Sequence, residues 1–204
     1  MYNLSNNIEK KLKKLSNKEK AKVLASFFKT GNGDYGEGDI FLGIAVPDTR
    51  RVVKEEIKNI KEKNFNNLRK DITILLSSKY HEIRMAGVII LVEIFSKEKD
   101  EKIKKDIFVF YLKNINKINN WDLVDTSSPH IVGKYLLDKK LERKVLYQLA
   151  QSKNIWERRV SVVATFSFIK RKEYEDTFSL CKIDWILLKN CDAILSFSPL
   201  FSDF

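Results

Sequence analysis

The sequence predicts an all-α protein, and two observations predict it. Glycine and proline are confined: of 7 glycines and 3 prolines in 204 residues, Gly31, Gly33, Gly36, Gly38, Gly43 and Pro47 crowd into residues 30–50. Both residue types are unfavourable inside helices, so the long stretches outside that window permit helix. The second observation is positive. Apolar residues recur three and four positions apart, which gathers them on one helical face, and no segment alternates over several strand-like steps.

Ile8, Leu12 and Leu15 mark a first helix, and Val23, Phe27 and Phe28 a second. Beyond the glycine-rich window, Ile57, Ile60, Phe65 and Leu68 resume the pattern, and Ile72, Ile74, Leu75 and Leu76 extend it. The run Ser77-Ser78-Lys79-Tyr80-His81-Glu82 reads as a helix start before the most apolar segment of the chain. Ile107, Phe108, Tyr111 and Leu112 predict another helix. Leu146 and Leu149, then Val160 and Val163 across Trp156, predict the last ones. Joints rich in Asn, Ser, Lys and Asp lie at 64–67, 77–78, 97–102, 119–120 and 151–154. Helices of similar length on short joints predict a HEAT-like helical-repeat solenoid with a concave basic face, holding about four to five pairs at ~40–47 residues each. Spacing alone leaves an irregular helical bundle open.

Lys+Arg 38 against Asp+Glu 27 gives a net charge of +11, which suits a polyanionic partner or an anionic surface. Lysine supplies 30 of the basic residues, and most lysine runs are solvated helix faces. A stack of helices nevertheless offers one concave face along which that charge can concentrate. The longest apolar run, Met85 to Val92, is far short of the ~18 residues a membrane span needs. Met1 to Lys20 is polar and lysine-rich where a secretory signal would be apolar. Cys181 and Cys191 are too few for a disulfide scaffold or a four-cysteine zinc site. His81 and His130 lack ligand-spaced partners and read as helix-start or packing residues. Gly31, Gly33 and Gly36 match GxGxxG only in letters, with no strand before and no helix after. The expectation is a monomeric cytoplasmic protein with no membrane segment, metal or cofactor.

Two stretches carry possible chemistry. Asn120 caps a helix that begins Trp121-Asp122-Leu123-Val124-Asp125, where Trp121 and Asp125, four apart, share a face. Asp122 points away and suits the positive end of the helix. An indole beside a carboxylate fits a stacking surface with a fixed negative charge; a core tryptophan beside a capping aspartate is the other reading. Ile155-Trp156-Glu157-Arg158-Arg159 repeats the pattern in basic form. One arginine can line a groove and grip phosphate while the other pairs with Glu157 or solvent; an exposed salt bridge of little worth is the alternative.

Four stretches together resemble the DNA alkylation repair family of HEAT-repeat DNA glycosylases, the AlkD-like proteins. They are Phe27-Phe28-Lys29-Thr30 through Gly36-Glu37-Gly38-Asp39-Ile40-Phe41-Leu42-Gly43-Ile44 with Pro47; His81-Glu82-Ile83-Arg84-Met85-Ala86; Trp121-Asp122-Leu123-Val124-Asp125 with Pro129-His130-Ile131-Val132-Gly133; and Trp156-Glu157-Arg158-Arg159 through Ala164-Thr165. The resemblance implies removal of N3- and N7-alkylated purines, such as 3-methyladenine and 7-methylguanine, from double-stranded DNA. It implies Asp125 as catalytic carboxylate, Trp121 as an aromatic wall, and Arg159 as a contact to the DNA backbone. Trp156 and Arg158 join that DNA-binding set, and either Phe27 or Tyr35 supplies a further aromatic contact. A non-catalytic helical-repeat module that binds nucleic acid, and a protein-binding scaffold anchored by Trp121 and Trp156, are the alternatives. The expected glycosylase domain spans 1–189. Residues 190–204 depart from the family's Gly-Trp-x-x-Arg-Glu pattern and read as an atypical apolar tail, a truncated end, to which Trp185 lends no match.

Overall fold

The computed structural model describes residues 3–188, with side chains described as far as residue 183. The expected tail at 190–204 lies outside the described residues. The helices are α1 (Leu4–Lys14), α2 (Lys18–Phe27), α3 (Val46–Lys58), α4 (Phe65–Leu76), α5 (His81–Lys97) and α6 (Glu101–Lys113). They continue as α7 (Trp121–Ser128), α8 (Lys134–Leu136), α9 (Lys144–Ala150), α10 (Ile155–Ala164), α11 (Phe166–Ile169) and α12 (Glu175–Leu188). No strand forms among the described residues, and Ile40 and Tyr80 make only a lone bridge. The all-α expectation holds, and the succession of packed helices is consistent with a helical repeat.

Asparagine explains where several helices begin. Asn17, Asn64, Asn120 and Asn154 cap α2, α4, α7 and α10, each accepting a backbone N–H from the first turn. Each such cap contributes about 1 kcal/mol. At α5 the helix starts within the expected run, at His81, without a side-chain cap, and Ser78 accepts the N–H of Tyr80 at 3.1 Å.

The centre of the molecule is α5. Ile83, Met85, Ala86, Val88, Ile90 and Leu91 are buried around its whole circumference, as a helix apolar on every side requires. Both α3 and α4 pack against it, α1 lies across α3 and α4, and α7 joins from the side that leads to α10 and α9.

One helix contradicts its apolar pattern. No residue of α2 is buried, and Val23 and Phe27 are 68% and 58% exposed where their spacing predicted a core face. Leu15 and Ile74, also expected inward, are likewise exposed. What seats α2 is its N-terminal end. Asn17 donates its N–H to the carbonyl of Leu42 at 2.8 Å. Gly43 approaches so closely, with φ +81°, that a Cβ there would lie 2.2 Å from the oxygen of Asn17.

Candidate functional site

The glycine-rich loop and the start of α5 are locked together by buried charge. Glu82 accepts the backbone N–H groups of Leu42, Gly43 and Ile44 at 2.8, 2.8 and 3.1 Å. His81 stands between two carboxylates, with Nδ1 3.1 Å from Asp39 and Nε2 2.8 Å from Asp122. Arg84 and Asn120 also donate to Asp39. Burial disfavours the imidazolium, but Asp122 and Asp39 outweigh it and raise the His81 pKa from 6.5 to about 9. Burial likewise works against the Asp39 carboxylate, and its bond to His81 and the charge of Arg84 overcome it and draw the pKa below 3.8. Asp122, in the first turn of α7 as expected, is also an ion-pair partner of His81, and His81 is more than a packing residue. The whole arrangement fixes the first turn of α7.

Trp121 and Asp125 occupy that helix. The Trp121 ring stacks on Phe28 at 5.0 Å and 14°, Phe28 stacks on Phe41 at 4.9 Å, and Phe41 stacks on His81 at 4.6 Å. An aromatic ladder thus runs from the buried His81 to Trp121. Phe27 meets Trp121 edge-on at 6.1 Å. Burial pushes the Tyr35 phenol up, while the Trp121 side chain hydrogen-bonded to it and the charge of Arg159 pull it down. Both Phe27 and Tyr35 therefore adjoin Trp121.

Asp125 accepts two bonds from Arg159, Nε to Oδ1 at 2.9 Å and the terminal nitrogen to Oδ2 at 2.8 Å. The two side chains are 6% and 15% exposed, so the pair sits just beneath the surface. They meet because α7 and the turn that follows it are stapled to α10 and α11. Ser128 donates to Val160 O at 3.0 Å, and Ser167 donates to Pro129 O at 2.6 Å. The π-helical turn at Pro129–Gly133 comes closer still: a Cβ at Gly133 would lie 2.2 Å from the oxygen of Ala164. Beneath the pair, burial pushes the phenol of Tyr111 up, and its hydroxyl lies 2.8 Å from that of Ser127.

The structure thus brings together Asp125, Trp121, Arg159, Phe27 and Tyr35. Two residues of the expected DNA-binding set stand apart. Arg158 is 8% exposed and donates to the carbonyls of Ser152 and Lys153 at 2.8 and 3.1 Å, bracing the joint before α10 rather than reaching for phosphate. Trp156 is buried in the core, with Tyr35 edge-on at 6.1 Å, and presents no ring to a ligand. Sequence reasoning passed over Asp39, Glu82 and Arg84, and the signal available was their placement inside the stretches that carry the resemblance.

A family model described as DNA alkylation repair enzyme matches residues 8–185. The chain belongs to this family. Among solved structures, this member of the DNA alkylation repair enzyme family is similar to a "Predicted DNA alkylation repair enzyme from Enterococcus faecalis". The TM-score is 0.56 at 17% identity, over 88% of this chain and 76% of that one, a likeness of fold. No curated protein matches it. No helix among the described residues of this family member is long and apolar enough to cross a membrane.

Proposed function

We propose that this DNA alkylation repair enzyme is a glycosylase that excises cationic N3- and N7-alkylated purines from duplex DNA. The observation that supports this best is the Asp125 carboxylate, oriented by Arg159 one helical turn from the Trp121 indole. A purine alkylated at N3 or N7 is already positive and leaves as a neutral base, so it requires no general acid. Ordinary glycosidases use two carboxylates because their leaving group must be protonated. Positive charge develops on the deoxyribose as the bond breaks, and a fixed anion stabilises that transition state more than the ground state. The arginine donors not used on Asp125 suit a phosphate oxygen, which would hold the sugar against the carboxylate. Trp121 and the exposed Phe27 offer ring faces or edges to the cationic nucleotide. Basic residues along a concave face would supply sequence-independent grip on the backbone.

Release of 7-methylguanine from alkylated duplex DNA tests the reading. Asp125→Asn is expected to lower release by about 10²–10³ while DNA binding persists. A wild-type chain that binds DNA without releasing base supports the second reading, a non-catalytic nucleic-acid-binding module. That reading draws on Arg159 occupying both oxygens of Asp125. Failure to bind DNA at low salt overturns both.

A further inference from the structure

Asp39 is buried, stands apart from the Asp125–Arg159 pair, and is the hub of the polar cluster behind Trp121. Two backbone features bring it there. Gly38, immediately before it, has φ +85°, a left-handed conformation that favours glycine. The bridge between Ile40 and Tyr80, with the N–H of His81 on the carbonyl of Ile40 at 2.9 Å, then holds the loop against the start of α5. Three donors meet on the Asp39 carboxylate: His81 through Nδ1 at 3.1 Å, Asn120 through Nδ2 at 2.8 Å, and the Arg84 guanidinium. Two of these routes lead to Trp121. Asn120, which precedes it, accepts the Trp121 N–H on Oδ1 at 2.8 Å. Asp122, which follows it, pairs with His81 Nε2 at 2.8 Å. Both neighbours of Trp121 are thus tied to one carboxylate, Asn120 directly and Asp122 through the imidazole. The Trp121 ring is tied to the same place by the stacked rings of Phe28 and Phe41, which end on His81.

Asp39 and Asp122 face His81 and Arg84, two carboxylates against two cations. A buried cluster balanced in this way adds little stability over apolar packing of the same volume. What it adds is direction, because a satisfied hydrogen-bond network admits one arrangement where apolar contacts admit several. We propose that Asp39 is a positioning residue: acting through Asn120 and His81, it sets the place of the Trp121 indole and, one turn further along α7, of the Asp125 carboxylate. Its effect on rate rests on the glycosylase reading; its effect on Trp121 does not. Misplacing a reacting group by about 1 Å costs on the order of 10²-fold in rate. Duplex affinity, which the net charge of the chain dominates, is expected to change little.

Fluorine NMR of the full chain labelled with 5-fluorotryptophan reads the indole directly, the Trp121 signal being assigned by Trp121→Phe. Asp39→Asn keeps the shape of the side chain and removes the charge that His81 and Arg84 face. Asn120→Ser keeps a helix cap and severs the tie to Asp39. Each variant is expected to shift or split the Trp121 signal while that of the buried Trp156 stays in place. Each is also expected to slow single-turnover release of 7-methylguanine about 10–100-fold, with duplex affinity within about two-fold of the wild type. Should Asp39→Asn fail to fold, Asn120→Ser decides. A Trp121 signal that stays in place, moves no more than that of Trp156, or moves while release keeps the wild-type rate overturns the proposal. Where the wild type itself releases no base, the glycosylase reading falls, and the Trp121 signal alone upholds or overturns the role of Asp39.

Discussion

An imidazolium held between two buried carboxylates is worth most where it is fully charged. His81 has its pKa raised to about 9 in the folded chain by Asp122 and Asp39 against the opposition of burial, and an ordinary value of 6.5 when exposed. The folded state therefore binds the proton more tightly. Its contribution is complete below pH 6.5 and is lost as the pH climbs through about 9. The amount at stake is about 3 kcal/mol. Denaturant melts across pH 6.5 to 9.5 are expected to show falling stability in the wild type. His81→Gln should be less stable at pH 6.5, because it strips Asp122 of its charged partner and leaves Arg84 alone to offset Asp39, and nearly flat over the same range, because the titrating imidazole is gone. A wild-type curve as flat as the variant's would mean that the imidazole is neutral in the fold.

At the scale of elements, α2 is held differently from every helix around it. It buries no side chain, and its seat is the contact of Gly43 with Asn17 at the helix start. Gly43→Ala places a Cβ against backbone and forces a left-handed φ on a residue that disfavours it, about 1–3 kcal/mol of strain before the collision is counted. Hydrogen exchange is expected to rise in residues 17–27 while α5 keeps its protection; equal loss in both helices would show that α2 is an integral part of the core. This is also where the sequence was least legible. Helices such as α4 and α10 were readable because apolar spacing and an asparagine cap agree on them. In α2, Val23 and Phe27 have the same spacing yet remain outside, since the packing is decided by a glycine some twenty residues downstream. Asp125 and its indole neighbour Trp121 were visible because four residues separate them on one helix. Glu82 closing on residues 42–44, and His81 joining Asp39 to Asp122, span about forty residues each, which no local spacing reports. Arg158 and Arg159 are adjacent in sequence, and only the docking of α10 on α7 and α9 determines that one braces a loop and the other meets Asp125.

The molecule as a whole carries +11, and this charge governs how it would meet a polyanion. Each phosphate neutralised releases counterions, so affinity falls with salt at a slope close to the number of contacts. Arg159 is the informative residue because it has two tasks in the proposed complex, orienting Asp125 and holding a phosphate. Arg159→Ala removes one positive charge and exposes the Asp125 carboxylate to the DNA, so both effects weaken binding at low salt. The slope separates them. A lost phosphate contact lowers its magnitude by about one, whereas a merely disordered Asp125 leaves it unchanged. The double variant with Asp125→Asn removes the exposed anion and is expected to recover part of the affinity while keeping the shallower slope. Fluorescence-anisotropy titrations of an undamaged duplex from 50 to 300 mM salt read both quantities without any chemistry. An Arg159→Ala slope equal to that of the wild type confines this guanidinium to its intramolecular role and places the phosphate grip elsewhere on the basic surface.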